Sequence, residues 1–227
     1  MRASYSNPTH SKDRSGFTLV EIMVVSAIFG LISIGLAAFM LDSTRGMFWA
    51  SNKAKITNDV RNFTLRISKE TLGARKGYVY NSFATADRDK LNDRRDSGQT
   101  GDCLVLVSYD PYPNIDDPLH YTKIVVFFRK PDANGLSPVF KAEQIFETPQ
   151  RIDTSTGVDH FEAYVAKYFA DDSGEYPVVL ELSRGLADGN LFRNFGNNTF
   201  VVNGEILHGN KVKEVTNTYN LTISPRG

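Results

Sequence analysis

An α+β fold is predicted for this 227-residue chain, with one long N-terminal helix followed by antiparallel strands. Three observations predict it. From Ile22 to Leu41 no side chain is ionisable. Beyond that run, Ile56, Val60, Phe63 and Ile67 recur at helical spacing, with Leu72 roughly continuing the stripe. After Gly77, β-branched and aromatic runs separated by turn residues take over.

The elements follow in order. Residues 1–16 read as a polar leader, because Asn7-Pro8 and several serines oppose helix formation. Residues 17–41, as a helix, span roughly 37 Å, enough to cross a bilayer core. Gly30 and Gly35 within it permit close packing of neighbouring membrane helices. Residues 42–72 form the amphipathic half of the same helix, with Lys53, Lys55, Asp59, Arg61, Arg66 and Lys69 on its polar faces. Gly46 is a predicted bend between the halves, and Gly73 or Gly77 a predicted end. Residues 73–227 form a strand-rich globular domain. Its strands are predicted at Tyr78–Phe83, Cys103–Tyr109, Lys123–Arg129, Pro138–Phe146, Val178–Ser183, Thr199–Leu207 and Lys211–Ile223. Asp87 to Asp102 reads as a charged loop, and Asp110-Pro111-Tyr112-Pro113-Asn114 as a turn. Phe161–Phe169 fits helix and strand periods alike. Gly209-Asn210 marks a hairpin.

The most informative residues are Gly16-Phe17-Thr18-Leu19-Val20-Glu21. Glu21 is the only charge between Arg14 and Asp42. A carboxylate in a membrane helix costs about 2.5–3.5 kcal/mol at the centre, so it is a functional residue by default and needs a partner. Cutting the chain after Gly16 would create one, the α-amine of Phe17. Ser15-Gly16, then Phe17-Thr18-Leu19-Val20-Glu21, then the apolar run to Leu41, resembles the class III signal of type IV prepilins and type II secretion pseudopilins. That resemblance covers the leader and first helix. It implies a pilin-like fold, with the helix lying against an antiparallel sheet. It also implies that a prepilin peptidase/methyltransferase cuts after Gly16 and N-methylates Phe17. A glycine before the cut lets the backbone approach the peptidase closely. In the filament, Glu21 of one subunit would meet the Phe17 amine of its neighbour, which checks register because a misdocked subunit leaves an unpaired charge.

Two plainer readings compete with this one: an ordinary secretory signal with a cleavage site near Leu36-Ala37-Ala38, and an uncleaved transmembrane anchor. The first is opposed by the length of the apolar run and by Glu21 inside its first turns. Lysines and arginines flank the run on both sides, so charge counting does not set orientation. The prepilin resemblance does, placing the N-terminus in the cytoplasm and the globular domain outside the bacterial inner membrane.

Composition narrows the rest. The 26 basic and 26 acidic groups balance. Loss of residues 1–16 removes Arg2, Lys12, Arg14 and Asp13, leaving 23 basic and 25 acidic groups. No field points to nucleic acid. The lone Cys103 rules out an intramolecular disulfide, unlike the C-terminal loop of many pilins, and reads as a small hydrophobe in a strand. His10, His120, His160 and His208 are dispersed without zinc spacing, and no phosphate loop, nucleophile elbow or dinucleotide fingerprint occurs. Asp87-Arg88-Asp89, Asp116-Asp117 and Asp171-Asp172-Ser173-Gly174-Glu175 read as solvated turns rather than calcium loops. The chain is therefore expected to need no cofactor or metal and to be a structural subunit, not an enzyme. The resemblance implies a minor pilin or pseudopilin whose partners are other subunits, met through the N-terminal helix, and the inner membrane before assembly. The alternative is a membrane-anchored binding module, an adhesin or DNA-uptake component, using the same signal. A basic or aromatic patch on the outer domain would favour it.

Overall fold

The computed structural model describes residues 16–226, except 110–119, 132, 134–135, 152–160, 170–174, 186–188 and 211–212. The leader, the Pro111–Pro113 turn and the Asp116-Asp117 and Asp171–Gly174 loops therefore lie outside the described residues. The chain divides into two compact units, Met1–Phe48 and Trp49–Gly227.

Helix α1 spans Leu19–Gly73. It starts two residues later than the predicted Phe17 because Thr18 caps it. The helix continues through Gly46, where a bend was expected. In the first unit its side chains are exposed from Leu19 to Met47. Among the described residues this is the single helix long and apolar enough to cross a membrane, with a mean hydropathy of 2.5 in its most apolar window.

In the second unit the helix buries Asn52, Ile56, Phe63, Ile67 and Thr71, and Val60 packs beside them. The predicted stripe is right up to Ile67 and then departs. Thr71, four residues on, continues it, whereas Leu72 is 63% exposed. Five residues advance a helix by about 140° past the contact face. The Thr71 hydroxyl donates to the Ile67 carbonyl at 2.7 Å, so burying it leaves no unpaired group.

The strands are β1 (Lys76–Tyr80), β2 (Thr100–Gly101), β3 (Cys103–Tyr109), β4 (His120–Arg129), β5 (Leu136–Arg151), β6 (Val178–Gly185), β7 (Phe192–Gly196), β8 (Thr199–Asn210) and β9 (Lys213–Ile223). They form one antiparallel sheet in the order β1-β3-β4-β5-β6-β8-β7-β2, with β9 on the other edge of β8. Strand β5 is far longer than the predicted Pro138–Phe146. Strands β2 and β7 carry too few apolar residues to signal themselves. Residues 161–169 resolve as helix α2 (Phe161–Tyr168). The predicted hairpin joins β8 to β9, pairing Asn210 with Lys213. A second, unforeseen hairpin joins β7 to β8 through Asn197 and Asn198, both at positive φ (49° and 58°). That two-residue turn has the twist of paired strands, and asparagine tolerates it.

The centre of the sheet is buried on both faces, which is why β3 and β4 read as near-continuous apolar runs. Leu104, Leu106, Val125 and Phe127 meet the α1 face with Ile56, Phe63 and Ile67. Cys103, Val105, Val107, Ile124, Val126 and Phe128 meet the other face. There they are covered by Val165 and Phe169, from α2 and its C-terminal end, and by Phe83, whose ring stacks on Phe128 at 3.6 Å. Cys103 behaves as expected: burial pushes its thiol up to about 12, far from the reactive thiolate range.

The expected strand Tyr78–Phe83 ends at Tyr80, and the segment from Asn81 to Asp102 is more structured than the charged loop expected over Asp87–Asp102. It contains two 3-10 turns, Thr85–Asp87 and Leu91–Asp93, and fixes α2 at both ends. Arg88 is fully buried and donates to the Phe83 carbonyl at 2.6 Å, to Val165 O at 3.0 Å and to Phe169 O. The last two lie at the C-terminal end of α2, where the Val165 carbonyl also accepts the Phe169 N–H at 3.1 Å. At the N-terminal end the buried Glu162 accepts from the Tyr80 hydroxyl at 2.8 Å and from Arg94 Nε. Asp102, also buried, pairs with Arg129 (2.7 Å to Nη2 and 2.9 Å to Nε) and accepts the Leu191 N–H at 2.9 Å. Gly101 passes so close to Tyr80 that an added Cβ would lie 1.9 Å from its carbonyl oxygen. Only glycine fits there.

Glu70 on α1 is clamped by Lys123 of β4 and Lys141 of β5, each at 2.7 Å, and both lysines also reach Glu143. Burial alone would raise the Glu70 and Glu143 carboxyls. The lysine hydrogen bonds and charges outweigh it and hold both below their ordinary value. A carboxyl depressed on folding contributes stability above its unfolded pKa of about 4.3, and that stability is lost as pH falls through the folded value. For Lys123, burial lowers the ammonium, but Glu143 and Glu70 raise it on balance. Its contribution is full below the unfolded pKa, about 10.4, and lost as pH rises through the folded one. Glu70→Gln is therefore expected to cost on the order of 1 kcal/mol at pH 7 and much less near pH 3. Urea melts at the two pH values check this. An equal loss at both would remove the ionic role.

Candidate functional site

The first-helix residues singled out by sequence sit together at the start of α1. Gly16, Phe17 and Thr18 precede the helix without regular structure, and Phe17 is 83% exposed. The residues on either side of the Gly16–Phe17 bond are thus non-helical. The Ile22 N–H closes on Thr18 O at 3.2 Å, the first helical bond.

Glu21 is already partnered within its own chain. Its Oε2 accepts the Thr18 N–H at 2.8 Å and the Thr18 hydroxyl at 2.9 Å, and the Thr18 hydroxyl in turn accepts the Glu21 N–H at 3.3 Å. This is a capping box, in which Thr at the cap and Glu three residues later satisfy each other's backbone donors. Thr18-Leu19-Val20-Glu21 carries that signature in its residue types, but sequence reasoning gave Glu21 an intersubunit role only. The cap uses the carboxylate that the expected pairing with a neighbour's Phe17 amine would need. The positive end of the helix dipole favours it there.

Residues 11–37 match the family model of the prokaryotic N-terminal methylation motif. The chain carries the class III signal of type IV pilins and pseudopilins. No curated protein and no solved structure matches the chain. The prepilin-type signal, together with the apolar helix that follows it, assigns the N-terminal segment to membrane anchoring. It points to a structural subunit.

Sequence gave no warning of a second feature, which lies in the globular unit far along the chain from the prepilin-type signal. A cleft of about 570 Å³ opens beside β1, the segment 94–97 and the β7–β8 turn. Asn198 bridges its floor: its Oδ1 accepts the Gly77 N–H and its Nδ2 donates to Arg75 O, both at 2.9 Å. Phe200 lies directly over Gly77, where a Cβ would come within 2.6 Å of the ring. Arg75, Lys76, Arg94 and Arg95 line the cleft against one acid, Asp96. The described residues contain no cluster of His, Cys, Asp and Glu able to hold a metal.

Proposed function

We propose that the chain is the precursor of a minor pilin or pseudopilin, a structural subunit of a type IV pilus or a type II secretion pseudopilus. Prepilin peptidase cuts after Gly16 and methylates Phe17. Residues 17–41 hold the subunit in the inner membrane, with the globular domain outside the cytoplasm. Extraction into the filament exchanges lipid contacts for helix contacts, and Glu21 pairs with the Phe17 amine of a neighbouring subunit. The observation that carries this reading is the methylation motif at residues 11–37, which runs into a helix whose apolar side chains are unburied within the chain. Without a partner such a surface is stable only in lipid or against other apolar helices.

Intact-protein mass spectrometry of the native material tests it. The expected mass is that of a chain beginning at Phe17 and carrying one extra methyl group. An untrimmed start, or trimming beyond Ala37, would overturn the reading.

A membrane-anchored binding module with the same signal is the second reading. The basic cleft beside β1 is the observation in its favour.

A further inference from the structure

The cleft beside β1 is lined by charge of mostly one sign. Arg94 is committed to Glu162 through Nε, and its guanidinium lies over the Tyr78 ring at 4.1 Å. That leaves Arg75, Lys76 and Arg95 facing the single Asp96. Arg75 and Lys76 are exposed, so their cations are open to a ligand in the cleft. A carboxylate supplies charge and acceptors together, and guanidinium groups bind it with directed, charge-assisted bonds.

We infer that this cleft binds a carboxylate-rich peptide segment of another protein. A volume of about 570 Å³ lies within the range of pockets that take a compact ligand, roughly 300–1,000 Å³. Nucleic acid is the other polyanion to weigh, and the lining suits it poorly, because single strands are held by open aromatic faces. Phe200 is buried against Gly77, and the Tyr78 ring is covered by Arg94. Phe195 is exposed, but it sits between the lining residues Asn194 and Gly196. The cleft lining does not include it. The polar rim of Ser97 and Asn197 supplies neutral groups for a peptide backbone. The inference is independent of whether the chain serves in a filament or as an anchored receptor.

The test is a fluorescence-polarisation titration of the full chain in detergent micelles with labelled hexaglutamate, at about 50 mM salt, where charge attraction is weakly screened. Binding is expected, with a Lys76→Gln/Arg95→Gln variant weaker by about tenfold or more. Lys76 is exposed, so Lys76→Glu alone gives a variant whose fold is unaffected, and it is expected to weaken binding several-fold. Lys53→Gln/Lys55→Gln removes the same number of exposed charges from α1 and is expected to leave binding within about twofold. The inference is overturned if hexaglutamate does not bind. It is equally overturned if the α1 control weakens binding as much as the cleft variant, or if an oligothymidylate of equal charge binds more tightly than the peptide.

Discussion

Asp102→Ala is expected to destabilise the globular unit by about 3–5 kcal/mol, because it takes the carboxylate away from a fully buried guanidinium. Arg129 would keep its bond to the Gly189 carbonyl (2.6 Å) but lose both contacts to Asp102. The Leu191 N–H, 2.9 Å from Asp102 Oδ1, would lose its acceptor too. Such a loss is a large part of the stability of an ordinary domain, about 5–15 kcal/mol. Asp102→Leu combined with Arg129→Met separates two explanations. If the single variant fails because a charge is left unpaired, removing both charges should recover most of the loss, since apolar residues of similar volume often replace buried ion pairs at little cost. Recovery should fall short of complete, because the Leu191 N–H and the Gly189 carbonyl stay unpaired, at about 1–3 kcal/mol each. Urea denaturation monitored by circular dichroism reads both variants. A single variant as stable as the parent, or a double variant no better than the single, would contradict this account of the pair.

Legibility in the sequence tracked hydrophobic period. Helix α1 and strands β3 and β4 were visible because their apolar residues repeat at 3.6 or run continuously through a doubly covered layer. The ambiguity at 161–169 was genuine. Its Phe161, Val165 and Phe169 fit a helix, and the same stretch alternates as a strand. What favours helix is the fastening of its ends by Arg88 and Tyr80, which reach Val165 and Glu162 from 77 and 82 positions away. The same limit hid the role of residues 87–102. Charged and glycine-containing, they read as a loop. Their arginines instead reach carbonyls and carboxylates on the covered face of the sheet, a pairing that local composition does not encode. The basic cleft was invisible for a related reason. Its cations come from 75–76 and 94–95, and its other wall from 194–200, while the chain's net charge is zero. The processing segment is the opposite case. Gly16, Phe17, Thr18 and Glu21 are consecutive or nearly so, so their chemistry is local and their motif readable. The missed element there, the capping box, was written in four adjacent residues and was overlooked because Glu21 already had an assigned partner.

Glu21→Ala should leave cleavage after Gly16 largely intact and sharply reduce incorporation into filaments, on the proposed reading. The cut bond lies outside the helix that Glu21 helps cap, so the peptidase meets the same non-helical substrate. In the filament, by contrast, the substitution would leave the Phe17 amine of a neighbour without its counter-ion in an apolar layer. Breaking a pair there costs about 3–5 kcal/mol, or more than a hundredfold in the docking equilibrium. The capping box complicates that assignment, because alanine removes both the charge and the bonds to Thr18. Glutamine separates them, since it serves at the third position of a capping box as glutamate does but carries no charge. Thr18→Ala removes the box from the other side and keeps the carboxylate, at about 1 kcal/mol of helix stability. If Glu21 works by pairing across subunits, glutamine should fail like alanine, while Thr18→Ala should assemble nearly normally. If it works by starting the helix, glutamine should assemble and Thr18→Ala should lose ground. Sheared filament fractions probed for the subunit, beside the ratio of trimmed to untrimmed chain in membranes, distinguish these outcomes. Normal incorporation of the alanine variant would leave Glu21 no role beyond the cap. Pairing across subunits is the outcome to expect. A cap made by one threonine offsets only part of the cost of holding a carboxylate in lipid, and the Phe17 amine of a neighbouring subunit is the cation that the proposed reading supplies to offset the rest.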